Sequence, residues 1–383
     1  MNTTIDVRPA TSSQDIEDFV RFPFELYRDD PNWVPPLLSE RRKFMSAKHN
    51  PFFAHADVAL WLARRNGHVV GTICSHVDHL HNQTHDEKTG MFGFFETVND
   101  FAVADALLST ARNWVAARGM NALRGPLSFS QNHEVGLLVE GDPGPPMVMM
   151  PYNPPYYCDL IVRHGLAKVM DVHAFVTDLS QFHGDPSGLP AKLGRVTTLA
   201  KKRAGITTRR PNMKDFEHDL QLAKEVYNRA WVKNWGFVAM TGDEMNKMAA
   251  DLKQILDPRL IVFVEAGDRP VGIAVCIPDV NQVLKHVNGR LFPIGWIKAL
   301  WYARKVNAAR MMIMGVVDDF RGRGIEAVLM YETVKAAIEG GYTSIELSWI
   351  LETNETMNRI MINVGEPCGT RRYRTYRIFQ VSV

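Results

Sequence analysis

An α/β fold of two similar domains, each a mixed central sheet with helices on both faces, is predicted by three features of this sequence. The first is length, because 383 residues exceed one ordinary domain and allow two. The second is an internal repeat. Val7-Arg8-Pro9 closes a short β-like stretch, and Arg209-Arg210-Pro211 closes another roughly 200 residues later. A hairpin pattern follows each: residues 59–62, Asn66-Gly67 and 69–74 in the first half, then 261–264, Gly267-Asp268 and 270–276 in the second. Glycine-containing turns between β-branched runs favour this arrangement. Each half then ends on a helix-like stretch closed by a glycine, Gly165 or Gly365, and a strand-like segment. The third feature is the alternation of strand-like and helix-like segments, which calls for a sheet covered by helices.

The domain boundary falls between 177 and 206. Residues 180–188 read as a polar loop with Gly and Pro, and 189–203 as a basic helix ending at Gly205. The expected division is a first domain 1–187, a connecting helix 188–204 and a second domain 205–383. Residues 128–152 and 279–308 are longer than ordinary connections, which points to functional segments. The net charge of +2, from 44 basic and 42 acidic residues, excludes a nucleic-acid binder driven by bulk charge. Cys74, Cys158, Cys276 and Cys368 are scattered without CxxC spacing. That argues against a zinc ribbon or a disulfide framework and fits a reducing compartment. The N-terminal residues lack a secretory pattern, and no apolar run approaches the roughly 20 residues of a membrane span. A cytoplasmic protein is expected.

Residues 311–317 are a continuous apolar run of strand length, as a buried central strand requires. They lead into Asp318-Asp319-Phe320-Arg321-Gly322-Arg323-Gly324, then a helix over 325–339 that stops at Gly340-Gly341. A strand, a glycine-rich turn and a helix N-terminus make an anion site, because unpaired N–H groups converge there and the helix dipole favours negative charge. Arg321 and Arg323 add positive charge, and the glycines let the backbone approach a phosphate closely. Gly322-x-Gly324-x-x-Ala327 also fits a dinucleotide-binding fingerprint, with Glu346 downstream. The chain that remains after it is too short for the doubly wound sheet which that motif opens. A P-loop is excluded by the absence of GxxxxGK[ST].

At these residues the chain resembles the GNAT superfamily of acyl-CoA N-acyltransferases. The superfamily signature, Arg/Gln-x-x-Gly-x-Gly/Ala, lies between a strand and a helix and cradles the coenzyme A pyrophosphate; here it reads Arg321-Gly322-Arg323-Gly324-Ile325-Glu326. The strand, Asn and Gly-terminated helix that follow in the superfamily are supplied by 345–350, Asn354 and Gly365. The resemblance covers 206–383 and extends through the repeat to the first half, giving tandem GNAT-like domains. It implies acyl-CoA, acetyl-CoA first, held by Val316, Val317, Arg321, Gly322, Arg323, Gly324, Ile325 and Asn354, with an N–H near Val316 and Val317 offered to the oxyanion. Three positions depart from the pattern. Glu326 replaces the final small residue and Glu366 an aromatic, while Met361 stands where many members carry the tyrosine that protonates the leaving thiolate. The matching turn of the first half, Glu96-Thr97-Val98-Asn99-Asp100-Phe101, is acidic and glycine-free. That domain is read as a degenerate copy that does not bind coenzyme A.

Glu346 and Ser348 share a strand face opposite Ile345, Leu347 and Trp349. Polar groups in a central strand need partners or a task, so Glu346 is read as a base or as half of an ion pair, with Ser348 beside it. Trp231 and Trp235, in an aromatic-dense stretch, and His133 and Glu134, in a polar loop, are candidate walls of the acceptor site or plain core and ordered loop. His76, His79, His81 and His85 invite a metal, yet a solvated hairpin end accounts for them and no metal is expected. Residues 291–305 mix bulky apolar with basic groups. This suits a helix that touches a membrane surface or covers a long acyl chain, and equally one that caps the first domain. The expected reaction is transfer of an acyl group, acetyl first, to the amine of a small molecule. Long-chain transfer to a lipid or sphingoid-type amine, and acyl-CoA binding without catalysis, stay open.

Overall fold

Both hairpins form around their glycine turns, with Ala56–Arg65 against His68–Asp78 and Ile261–Ala266 against Arg269–Pro278. Asn66, Gly67 and Gly267 take the left-handed conformation those tight turns need. The computed structural model describes residues 4–383. Contacts divide the chain into two units. One holds the chain up to Val172 with Val283–Trp301 and Arg374–Val383, and the other holds His173–Gln282 with Tyr302–Tyr373.

In the first unit the sheet runs Asp6–Pro9, Ala56–Arg65, His68–Asp78, Thr89–Thr97, Ala122–Gly125 and then the end of Thr370–Ser382. Neighbours are antiparallel except Thr89–Thr97 and Ala122–Gly125, which are parallel and joined by the helix Phe101–Ala116. Period-2 alternation sends Ala63, Ile73 and Val77 to one face, packed with Leu107, Leu108 and Tyr157. Leu60, Leu62 and Cys74 go to the other, packed with Phe19, Val20 and Leu38 from the helices Ser13–Leu26 and Leu38–Phe44.

The second unit repeats this plan. Its strands run Thr207–Arg209, Ile261–Ala266, Arg269–Pro278, Ala308–Val316, Ser344–Leu351, and then the His173–Asp178 stretch of Ala167–Asp178. Again only the pair joined by a long helix, here Ile325–Glu339, is established as parallel among the described registers. The duplication is therefore visible as the same strand order and the same sense of pairing. The units depart from the sequence division 1–187, 188–204, 205–383 in which strands they use. Residues 374–383 pair with Ala122–Gly125 and Leu137–Gly141 of the first unit, a swap that linear similarity does not reveal. The basic helix forms as Ala191–Ala204, capped by left-handed Gly205. Its Thr197 and Ala200 are buried and it packs on Ile325–Glu339, so it belongs to the second core as well as linking.

Candidate active site

The strand Ala308–Val316 is where the second sheet opens. Along one edge it pairs with Arg269–Pro278, with a slip between Val275 and Cys276 that leaves Met312 as the extra residue of a bulge. Along the other edge it runs parallel to Ser344–Leu351 only from Ala308 to Met311. Past that point Met312, Ile313, Met314 and Gly315 are half-buried, unlike the four residues before them. Val317 donates its N–H to Val271 O at 3.0 Å, so it is not available to an oxyanion as the sequence suggested. Strand alternation turns the Val316 N–H to the opened side instead.

The turn beyond is built for close approach. After the single turn Asp318–Phe320, Gly322 and Gly324 have φ of +73° and +82°, values that L side chains adopt at a cost. A Cβ on Gly322 would meet nothing within 4 Å. Gly324 is the N-cap of Ile325–Glu339 and brings no side-chain acceptor, so no cap side chain takes up the first N–H groups of that helix. Ile325, fully buried, anchors the helix in the core. Arg321 does not reach outward: its guanidinium donates to Val316 O at 3.2 Å and to Ala230 O, and pairs with Asp318 at 2.9 Å. It braces the turn, and its expected direct contact with a phosphate would require breaking these bonds. Arg323 lies over the Phe320 ring and donates to Asp319 O, with its residue exposed at the turn. In the first unit the matching helix Phe101–Ala116 is capped by Asp100, which accepts from Ala102 N at 2.9 Å and pairs with Arg65 at 2.7 Å. There the chain's own carboxylate fills the anion position.

Beneath the opening, Arg310 and Glu346 are wholly buried and 3.3 Å apart, and Ser348 Oγ accepts from Arg310 Nε at 2.7 Å. Tyr373 donates its hydroxyl to the other oxygen of Glu346. The expected alternation fails at Trp349. Its φ of +59° swings the indole to within 4.4 Å of the Arg310 guanidinium. Glu346 and Ser348 thus hold a buried cation, an arrangement that costs several kcal/mol if either charge is left alone. Arg310 could have been suspected, since a lone arginine inside the apolar run 308–316 requires a buried acid.

The strand Ser344–Leu351 leads directly into a cavity of about 800 Å³ lined by Glu352, Glu355, Asn358, Arg359, Met361 and Ile362 on one side and His173, Phe175, Thr370, Arg371 and Arg372 on another. None of these except Met361 and the 371–372 arginines carries a signal in sequence, because His173 comes from the first half of the chain. Asn354 caps the helix Glu355–Ile360, accepting from Met357 N at 3.1 Å. Trp231 packs against Tyr227 at 4.9 Å and covers Gly315, where a Cβ would lie 2.3 Å from its ring. Trp235 is half-buried in the same loop.

His133 and Glu134 lie in the first unit, the former bonded to Ser130 Oγ at 3.0 Å and the latter to Arg41 at 2.9 Å. Glu96, at the end of Thr89–Thr97, accepts from Tyr27 and Tyr157, and burial pushes its carboxyl up to about 7. His76 is buried against Phe129 O at 2.7 Å, and burial lowers it to about 4. Among the described residues no three His, Cys, Asp or Glu are grouped to hold a metal ion, and no helix is long and apolar enough to cross a membrane.

No described family profile matches the chain. Along its whole length, however, it is similar to the bacterial ceramide synthase of Caulobacter vibrioides (strain NA1000 / CB15N), 36% identical over 392 residues that cover 99% of this chain and 98% of that protein. The chain belongs to the family that contains this ceramide synthase. It is likewise 34% identical over 383 residues to Protein YghO of Escherichia coli (strain K12), covering 98% of this chain and 95% of that one. A tandem GNAT protein from the clavulanic acid biosynthesis pathway shares the fold, with a TM-score of 0.58 at 12% identity over 99% of this chain and 98% of that chain. The fold is thus that of the GNAT superfamily, as the turn at 321–326 predicted. With family and fold together comes the enzyme class, an acyl-CoA-dependent N-acyltransferase.

Proposed function

We propose that this enzyme acylates the amine of a sphingoid-type long-chain base, taking the acyl group from a fatty acyl-CoA. The carrying observation is the similarity to a ceramide synthase across 98% of that protein, a coverage that takes in the site and both units. The coenzyme A pyrophosphate is assigned to the open N-terminus of Ile325–Glu339, with Gly322 and Gly324 giving access, Arg323 supplying charge and Arg321 shaping the turn. The first unit, whose matching helix is self-capped by Asp100, is assigned no coenzyme A.

The acceptor amine is assigned to the cavity beyond Leu351, where Glu352 and Glu366 are the acids offered to an ammonium group, Glu355 being paired with Arg359 at 3.0 Å. An amine near pKa 10.4 arrives protonated and must lose that proton before it can attack. His173 brings an imidazole to the cavity lining, a side-chain type suited to accepting a proton, and is the base in this reading. The amine nitrogen then bonds to the thioester carbonyl carbon, the Val316 N–H faces the developing oxyanion, and the C–S bond breaks to release a thiolate that takes up the proton the acylated nitrogen gives up. Met361 cannot supply that proton. Glu346 and Ser348 are read as positioning residues that fix Arg310 under the opening, not as the base. Holding both partners side by side removes much of the entropic barrier.

A second reading, acetyl transfer to a small polar amine, is favoured by the charged lining of the same cavity. Thiol release and amide mass are to be followed with palmitoyl-CoA and acetyl-CoA, each with sphinganine and a panel of polar amines. An amide from palmitoyl-CoA and sphinganine is expected. Turnover only with acetyl-CoA and a polar amine selects the second reading, and tight coenzyme A binding without any amide selects a binding protein. His173→Gln should lower kcat while KM for acyl-CoA holds.

A further inference from the structure

Between residues 280 and 309 the chain carries five basic residues, Lys285, Arg290, Lys298, Arg304 and Lys305, and no acidic one. The helix inside this stretch, Gly295–Ala303, is inverted relative to an ordinary surface helix. Gly295 is buried and Ala299 half-buried, whereas Trp296, Ile297, Leu300 and Trp301 are 46%, 53%, 61% and 60% exposed. At about 100° per residue these four side chains cover an arc of about 140° on one face. Phe292 and Ile294, just ahead of the helix, are 79% and 61% exposed.

This segment is anchored in the first unit by its other side. Gly289 accepts the Leu38 N–H at 3.0 Å and lies so close to Phe24 that a Cβ would come within 2.6 Å of the ring. Its outward face is therefore presented by a fixed support. A contiguous bulky apolar surface of this kind marks a place that meets another apolar phase. Trp296 donates its indole N–H to Pro293 O at 3.0 Å, so the ring can leave water without an unpaired donor.

We infer that this face docks on the surface of an anionic lipid bilayer. Trp296, Ile297, Leu300 and Trp301 enter the boundary between headgroups and acyl chains, with exposed Arg290 and Lys298 beside lipid phosphates. Charge decides for a bilayer over a second copy of the chain, because a self-contact would set this acid-free stretch against itself. The inference does not depend on which amine the enzyme acylates.

Vesicle flotation of the full chain tests it, with phosphatidylcholine alone and mixed with phosphatidylglycerol. The protein should float with the mixed vesicles, less as salt rises, and hardly with the neutral ones. The double variant Trp296→Ala/Trp301→Ala should bind the mixed vesicles roughly tenfold more weakly or worse, since each loses apolar area that only the bilayer covers. Its melting temperature should stay close to that of the parent, because both rings are exposed. Absence of flotation by the parent overturns the inference, as does undiminished flotation of the variant, or equal and salt-independent binding to both vesicles. A parent dimer that the variant dissociates, with no vesicle binding, makes the face a self-interface and overturns it too.

Discussion

Glu96 shows how one side chain can set a pH dependence. Its carboxyl accepts from Tyr27 at 2.5 Å and from Tyr157 at 2.8 Å, and burial outweighs both bonds to raise it to about 7. Below the ordinary glutamate value of about 4.3 both folded and unfolded chains hold the proton, so the group contributes nothing. As pH rises from there to about 7 the unfolded chain releases the proton while the folded one keeps it, and stability falls; above about 7 the loss is complete. Glu96→Gln, which keeps an acceptor for the two phenols, should be more stable than the parent at pH 8 by about 1–3 kcal/mol and equal to it near pH 4. Urea denaturation at the two pH values checks this. An unchanged pH slope in the variant would mean that the folded carboxyl ionises freely. The acidity of the 96–101 turn was legible in sequence, but the enclosure was not, since Tyr27 and Tyr157 come from distant points in the chain. Arg310 is the converse case: an arginine inside the apolar strand 308–316 could have been suspected of being a buried charge, but only folding chose Glu346 as its partner.

The turn between Ala308–Val316 and Ile325–Glu339 was read almost entirely from residue types. Two glycines in a short span after an apolar run predicted a turn that lets the backbone come close and a helix start with unpaired N–H groups; the structure adds that both glycines are left-handed and that the helix cap has no side-chain acceptor. What sequence did not convey is which groups were already spent. Arg321 turns back on its own strand and Val317 gives its N–H to the neighbouring one. Gly324→Val is a harsh probe, since it forces a branched residue to φ +82° and presses on the Ala200 Cβ at 3.2 Å. Roughly 1–3 kcal/mol of strain would accompany any loss of binding. Gly322→Asn separates the two effects, because asparagine tolerates the left-handed region and its side chain would enter open space. It should melt within about 1 kcal/mol of the parent yet bind coenzyme A at least roughly tenfold more weakly, by losing one or more N–H contacts to phosphate. Calorimetry beside thermal melting decides it; native affinity in this variant removes the turn as the phosphate site.

At the scale of the molecule, the repeat in sequence became two sheets of one plan, but each compact unit uses a strand segment from the other half of the chain. Residues 374–383 supply the edge partner of Ala122–Gly125, and Arg374 and Arg377 bind Asp142 O and the Asp171 carboxylate at 2.8 Å. Deleting 374–383 should therefore speed hydrogen exchange at 122–125 and 137–141 in the first unit, far along the chain from the cut. Unchanged protection there would show that these ladders stand without the last strand. Alternating hydrophobicity, glycine turns and caps are local, so the hairpins and the strand–turn–helix at 308–339 could be read from sequence alone, and the resemblance carried by that turn implied the fold and the enzyme class. Strand exchange, the choice of Glu346 as partner of Arg310 and the meeting of His173 and Glu352 in the lining of one cavity were decided by tertiary structure. The physical reason is that a strand's edge hydrogen bonds and a buried charge accept any partner of the right geometry, and only packing brings one within reach.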